Sequence, residues 1–228
     1  MIKRCEYDTF WPILSSSDST PKTAAVLADS NENRNNTMNI SVFCGASHPH
    51  SEQITEAARQ LGRAIARGGH TLLYGGSNLG LMGATSGAAL QEGGRVVGVI
   101  PTFFSDDIIR SQPVSELVRV RTLAERKEYL IAHSDAFVAL PGGIGTLDEV
   151  LEVMVANQLG LVRDRSGANQ SQNKPMILLN LGGYYNPFLA QLDAMRAEGL
   201  LRSAAGLISV NSVEDIFKLL AAGAAEIS

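Results

Sequence analysis

The stretch SDAFVALPGGIGTLDEVLEVMVANQ, residues 134–158, decides the fold class of this 228-residue chain. It begins with a short apolar strand at residues 136–140, passes through a loop that contains three glycines, and ends in an apolar helix. A strand that is apolar on both faces and runs directly into a helix is typical of a parallel sheet covered by helices on both sides. Because the same alternation recurs along the chain, we extend this interpretation to the whole domain.

The alternation predicts seven strands and an α/β fold. We place the strands at residues 39–43, 70–74, 95–100, 117–121, 136–140, 175–180 and 206–210. The helix after the first strand has Ser51 as its N-cap and an apolar stripe from Ile54 to Ile65. The last helix starts at Ser212, with Asp215 three residues later, and turns Ile216, Leu219 and Leu220 inward. We therefore expect a single Rossmann-like domain over residues 38–228, with an about seven-stranded parallel sheet.

The first 37 residues differ in composition from the rest of the chain. They include the segments SSSDSTPKT and DSNENRNNT, which are polar and rich in Ser, Asn and Asp. Such a composition cannot bury enough apolar surface to fold alone. We therefore expect residues 1–37 to form a disordered polar tail.

The bulk composition excludes several classes of function. The net charge of −4 gives no basic field that would attract nucleic acid or a membrane surface. Cys5 and Cys44 are too few for a disulfide framework or a structural zinc site, and the four histidines lack metal-ligand spacing. We therefore expect a cytoplasmic protein that needs no metal or organic cofactor.

Three glycine-rich segments follow predicted strands one, two and five. They are CGAS at 44–47, GGSNLGLMG at 75–83 and PGGIGT at 141–146. Ligands of open α/β sheets bind at the carboxyl edge, where glycine lets backbone N–H groups approach an anion. No lysine stands where a Walker loop requires it, and the dinucleotide fingerprint fits poorly. We therefore predict a mononucleotide or sugar phosphate as the ligand.

Glu149 has two alternative roles. Thr146 and Glu149 have the T-x-x-E spacing of a capping box, in which the carboxylate closes a helix start and is solvated. The following helix, however, is apolar nearly all round, with a stripe of Leu147, Val150, Leu151 and Met154 and a second apolar side at Val153 and Ala156. We expect one side to cover the sheet and the side with Val153 to meet a second subunit. Glu149 would then be partly desolvated at that interface.

Arg126 and Lys127 are candidate partners for an acid or a phosphate. They lie close to an inner stripe that we assign to Leu123, Leu130 and Ile131. Cations beside a buried stripe either extend to water along their methylene stems or are paired. Next to a phosphate loop, we favour the second role.

The motifs SVFCGAS, LLYGGSNLGLMG, RK and SDAFVALPGGIGTLDE, with NLGGYYNPFLAQLD, together resemble the LOG ("Lonely Guy") family of cytokinin riboside 5′-monophosphate phosphoribohydrolases. Its members are often mislabelled as lysine decarboxylases. The resemblance implies a homodimer that hydrolyses the N-glycosidic bond of an N6-modified or plain adenosine 5′-monophosphate. It also implies that Arg126 and Glu149 are catalytic. Our substrate-binding candidates are Gly45, Ser47, Gly76, Lys127, Gly142, Gly143, Ile144, Gly145, Thr146 and Asp148.

The sequence departs from the family pattern at several positions. Thr122, Leu123 and Ala124 replace a common acid-Met-His run, and Asp106 and Asp107 stand near the position of a nucleotide-contacting Glu. Two alternative functions remain open, and one of them is transfer of the ribosyl group to an acceptor other than water. A nucleotide-binding module of the same fold could act without turnover. We do not expect a decarboxylase: pyridoxal phosphate chemistry needs a lysine, and Lys127 and Lys174, the only lysines in the middle of the domain, follow no pattern for that role.

Overall fold

The structure is a computed structural model that describes residues 37–104, 114–162, 173–201, 203–204 and 206–225. The predicted tail at residues 1–37 lies outside these ranges except for Thr37. Asp106, Asp107 and most of the polar loop at 163–173 also lie outside them. None of the helices in the described ranges is long and apolar enough to cross a membrane.

The chain alternates strands and helices as predicted. Within the described residues, the seven strands are β1 (Asn39–Phe43), β2 (Thr71–Tyr74), β3 (Arg95–Pro101), β4 (Glu116–Val120), β5 (Ala136–Ala139), β6 (Met176–Leu179) and β7 (Leu207–Val210). The helices are α1 (Glu52–Arg67), α2 (Gly80–Gln91), α3 (Leu123–His133), α4 (Ile144–Gln158), α5 (Asn186–Ala197) and α6 (Val213–Ala225). A short 3₁₀ helix at Leu181–Gly183 follows β6.

All seven strands are parallel and form one sheet in the order β4-β3-β2-β1-β5-β6-β7. The central strand β1 pairs with β2 on one side and with β5 on the other. The strand order therefore reverses direction between β1 and β5. At such a switch point the loops that follow the two strands diverge to opposite faces and leave a crevice at the carboxyl edge.

Two apolar cores cover the two faces of the sheet. On one face α1, α2 and α6 pack against strand side chains that include Ile40, Val138 and Ile177. On the other face α3, α4 and α5 pack against side chains that include Phe43, Phe137 and Leu178. This double cover explains why the strands are apolar at successive positions, and it confirms the predicted α/β sheet with helices on both faces.

Two helix faces differ from the predictions. In α4, Val153 is fully buried and Ala156 is also buried, whereas Leu151 is exposed. The side with Val153 therefore packs on the sheet, and the assignment of that side to a second subunit is wrong. In α3, Leu130 is buried but Leu123 is exposed, because Leu123 is the first helical residue and stands at the edge of the core. The inner stripe that we assigned to α3 thus begins too early.

Candidate active site

A cleft of about 420 Å³ opens at the carboxyl edge of β1 and β5. It is lined by the loop after β1, the first turn of α2, the side chain of Arg126 from α3, the loop between β5 and α4, and Tyr184 from the turn after β6. Of the predicted site residues, the cleft contains Gly45, Ser47, Arg126, Gly142, Gly143, Gly145, Thr146 and Glu149. The switch point of the sheet thus brings together residues that are more than a hundred positions apart in sequence.

The loop between β5 and α4 is shaped by its glycines. Any side chain at Gly142 would collide with the side chain of Thr146, so this position must be small for the loop to close onto α4. Gly143 and Gly145 are different, because a Cβ atom at either position would meet no protein atom within 4 Å. Packing therefore requires glycine at residue 142 but leaves open space at residues 143 and 145, on the side that lines the cleft.

The amino end of α4 offers unpaired donors to this space. Gly143 is the N-cap residue, and no side chain caps the helix. The first N–H groups of an α-helix have no acceptor within the helix, and together with the helix dipole they favour an anion. Thr146 lies inside the first turn of α4, so the capping box of Thr146 and Glu149 does not form. The helix begins at Ile144 with Gly143 as its N-cap, three residues before the N-cap that the T-x-x-E spacing suggested.

Glu149 and Arg126 form a buried ion pair at the base of the cleft. Arg126 Nη2 donates to Glu149 Oε1 at 2.9 Å. Glu149 is only 4% exposed, and 14% of the Arg126 side chain is exposed. The Nε–H of Arg126 is also buried and has no hydrogen-bond acceptor among the described residues. Since buried donors are normally paired, this N–H group is available to a ligand in the cleft.

The surroundings of Glu149 perturb its acidity. Burial raises the pKa of the Glu149 carboxyl to about 7, although the attraction of Arg126 opposes this rise. The two effects disagree in sign, and burial outweighs the ion pair because the carboxylate has lost nearly all contact with water. A carboxyl group with a pKa near 7 can exchange a proton in either direction at neutral pH.

Four of the predicted site residues lie outside the cleft lining. Lys127 Nζ is paired with Asp148 and with Glu152 Oε2 at 2.9 Å, so it links α3 to α4. The side chain of Ile144 is exposed and does not line the cleft. Gly76 has a left-handed backbone (φ 78°) and packs against Ile100, which explains the glycine without a ligand.

Several cleft residues were not among the predicted site residues. They are Cys44, Ala46, His48, Pro49, Ile54, Leu81, Met82, Pro141 and Tyr184. His48 is exposed and stands at the rim of the cleft. Burial raises the pKa of the Cys44 thiol far above its usual range, and the nearby Glu149 adds to this effect. Tyr184 was missed because only the loops after strands one, two and five were considered, although β6 ends at the same edge.

Neither lysine in the middle of the domain reaches the cleft. Lys127 is held by the two acids of α4, and Lys174 is buried and donates from Nζ to the carbonyl of Ile131 at 3.1 Å. A Schiff base with pyridoxal phosphate needs a lysine amine beside the bound ligand. The described part of the cleft contains no such amine.

The sequence is similar to a family and to several curated proteins. The family described as "Possible lysine decarboxylase" matches residues 82–222. The probable cytokinin riboside 5′-monophosphate phosphoribohydrolase LOGL9 of Oryza sativa subsp. japonica is 39% identical over 83% of this chain and 80% of its own length. The cytokinin riboside 5′-monophosphate phosphoribohydrolase LOG1 of Arabidopsis thaliana is 38% identical over 79% of this chain and 81% of its own length. The cytokinin riboside 5′-monophosphate phosphoribohydrolase of Rhodococcoides fascians is 40% identical over 72% of this chain and 79% of its own length.

Solved structures share the fold at lower sequence identity. A molybdenum cofactor carrier protein from Chlamydomonas reinhardtii has a TM-score of 0.59 and 24% identity, covering 82% of this chain and 99% of its own. The molybdenum cofactor binding protein of Rippkaea orientalis has a TM-score of 0.57, also at 24% identity, with 82% of this chain and 96% of its own covered. These likenesses concern the fold alone.

Proposed function

The chain belongs to the family of cytokinin riboside 5′-monophosphate phosphoribohydrolases, as its motifs predicted, and on this premise we propose that it hydrolyses the N-glycosidic bond of adenosine 5′-monophosphates. The substrate would be AMP or an N6-modified AMP, and the products would be the free adenine base and ribose 5-phosphate. The observation that carries the proposal is a buried carboxyl with a pKa of about 7, placed one turn beyond an uncapped helix end in the same cleft.

The 5′-phosphate binds at the amino end of α4 in this proposal. The open space at Gly143 and Gly145 admits a phosphoryl group to the unpaired N–H donors of the first turn. Charge-assisted hydrogen bonds of this kind are among the strongest in proteins. Because Glu149 lies on the same helix, one turn further along, a phosphate held there places the ribose beside the carboxyl group.

The chemistry needs a base on one side of the ribose. Breaking the bond between C1′ and the purine nitrogen leaves positive charge on the sugar ring. Glu149 as a carboxylate stabilises this charge and accepts a proton from the attacking water, whose oxygen bonds to C1′. The purine leaves with the bonding electrons and takes up a proton. With a pKa of about 7, Glu149 then returns its proton to solvent at neutral pH.

Arg126 orients the Glu149 carboxylate and the bound nucleotide. Its Nη2 holds one oxygen of Glu149, which leaves the other carboxyl oxygen for the water. Its unpaired Nε–H is a donor for the nucleotide. A guanidinium suits this double task better than an ammonium, because its donors are fixed in one plane. Lys127 stays in its ion pairs with α4 and stabilises the α3–α4 contact rather than the phosphate.

The exposed apolar face of α4 supports a homodimer. Ile144, Leu151, Val155 and Leu159 recur at helical spacing and are all exposed, and Leu161 extends the patch. An apolar stripe of this kind on a helix that already buries its other side is typical of a subunit interface. The interface would thus be formed by the opposite side of α4 from the one that we first predicted.

The proposed reaction can be tested directly. Purified protein incubated with AMP, and separately with N6-isopentenyl-AMP, should release the free base and ribose 5-phosphate in equal amounts. The Glu149→Gln variant should bind AMP but release base at least about 100-fold more slowly. Recovery of intact nucleotide from the wild-type protein, despite measurable binding, would instead identify a binding module without turnover.

A further inference from the structure

Resting on the proposed function, we propose that Tyr184 is a positioning residue that holds the phosphate-binding loop in its active conformation. The NLGGYYN segment at residues 180–186 follows β6, the strand next to β5. It carried part of the sequence resemblance but had no role assigned to it. The structure places two consecutive tyrosines of this segment against the loop that joins β5 to α4.

The two tyrosines donate to alternate carbonyl groups of that loop. Tyr184 Oη donates to the carbonyl oxygen of Gly142 at 2.7 Å, and Tyr185 Oη donates to that of Leu140 at 2.6 Å. Tyr185 is buried, and its ring meets that of Tyr184 edge-on with centroids 5.2 Å apart. The hydrogen bond from Tyr184 lies in the wall of the cleft, and the one from Tyr185 lies at the end of β5.

The hydrogen bond from Tyr184 fixes a peptide group that little else constrains. The peptide between Gly142 and Gly143 is flanked by glycine on both sides, so no Cβ restricts its rotation. Because a peptide is planar and trans, holding the carbonyl of Gly142 also sets the direction of the Gly143 N–H. A rotated peptide would exchange a donor for a carbonyl oxygen near the anion, which repels phosphate.

The turn that carries the tyrosines is itself firmly held. Gly182 and Gly183 have positive φ values of 57° and 77°, which lets the chain reverse after β6. The side chain of Asn180 accepts from the Tyr185 N–H at 2.7 Å and donates to Asn186 Oδ1 at 2.9 Å. Tyr184 therefore extends from a fixed turn, and its hydroxyl can position Gly142 and Gly143, which have no side chains of their own to do so.

The test compares Tyr184→Phe with Tyr185→Phe, which remove one hydroxyl each. Calorimetric binding of ribose 5-phosphate and of adenine needs no turnover, so it remains informative even if no hydrolysis is found. In Tyr184→Phe we expect ribose 5-phosphate to bind roughly five-fold more weakly, as for a lost hydrogen bond of ordinary strength, with adenine unchanged. In Tyr185→Phe we expect a lower melting temperature and unchanged ribose 5-phosphate affinity.

Three results would overturn the proposal. Unchanged ribose 5-phosphate affinity in Tyr184→Phe would show that the hydroxyl does not position the loop. Equal weakening of adenine would place Tyr184 against the base instead. A wild-type protein that binds no ribose 5-phosphate would refute the anion site and, with it, the role of Tyr184. Absence of hydrolysis with the expected binding pattern would refute only the proposed reaction.

Discussion

The Gly145→Ala variant separates a functional glycine from a structural one. Gly145 is the second residue of α4, and a Cβ atom there meets no protein atom within 4 Å. Alanine is favoured over glycine inside a helix by up to about 1 kcal/mol, and somewhat less in the first turn. The variant should therefore fold and be at least as stable as the wild type.

The same methyl group should impair phosphate binding. It would occupy the space in front of the N–H donors at the amino end of α4, in the lining of the cleft. Losing one hydrogen bond to a charged group costs about 1.5–3 kcal/mol. This corresponds to roughly 10- to 150-fold weaker binding of AMP. Adenosine, which lacks the phosphate, should bind with unchanged affinity.

Gly142→Ala provides the matched control. Its methyl group would collide with the side chain of Thr146, and such overpacking costs about 1–3 kcal/mol. Urea unfolding should therefore show a lower free energy of unfolding for Gly142→Ala than for the wild type, and no such loss for Gly145→Ala. Calorimetric titration with AMP and adenosine completes the comparison. If Gly145→Ala binds AMP as tightly as the wild type does, the phosphate does not sit at the amino end of α4.

The site and the exposed helix face give four further predictions. Glu149→Gln should lower kcat by at least about 100-fold while AMP still binds, because general base catalysis is lost; a variant that keeps its rate would remove Glu149 from the chemistry. Because the folded pKa of Glu149 is raised from 4.5 to about 7, its protonated form stabilises the fold below pH 4.5, and that stability is lost as pH rises through 7. Between pH 4.5 and 7 the free energy of unfolding of the wild type should accordingly fall by about 3 kcal/mol relative to that of Glu149→Gln, measured by urea unfolding at a series of pH values. The kcat/KM of the wild type should rise with pH to a plateau, with a midpoint near 7, since the carboxylate is the active form; a profile that is flat from pH 6 to 8 would contradict the assignment. Leu151→Asp should give a monomer in sedimentation velocity, because it puts a charge on the exposed apolar face of α4, and a mass equal to that of the wild type would place the interface elsewhere.

The strands could be predicted because they are short runs of apolar residues between turns. Every predicted strand overlaps an observed one, and no strand end differs by more than one residue. The capping box failed for a physical reason. Gly143, Ile144 and Gly145 have no polar side chain that signals a helix start, so the capping box placed the N-cap at Thr146, three residues too late. The N–H groups are left for a ligand instead of a side chain.

The buried face of α4 could not be predicted from periodicity alone. A helix that is apolar on nearly every side gives no hydrophobic stripe that selects one face. The face that packs on the sheet carries Val150 and Val153 together with Glu149, whose carboxylate is paired with Arg126 from another helix. The sequence placed both residues near the site, but only the folded chain shows that they form an ion pair. Tyr184 was missed because the loop after β6 was not considered, and its partner, the Gly142 carbonyl, carries no signal in the sequence.

The strand order also has a consequence for synthesis on the ribosome. β1 acquires β2 as a neighbour soon after it emerges, but its other neighbour, β5, is separated from it by the whole segment from Cys44 to Asp135. At translation rates of about 5–20 residues per second, the central strand keeps one open edge for roughly 5–20 seconds. An uncovered strand edge is a template for association with other chains. Nascent-chain chaperones should therefore engage this protein most strongly before residue 139 leaves the exit tunnel.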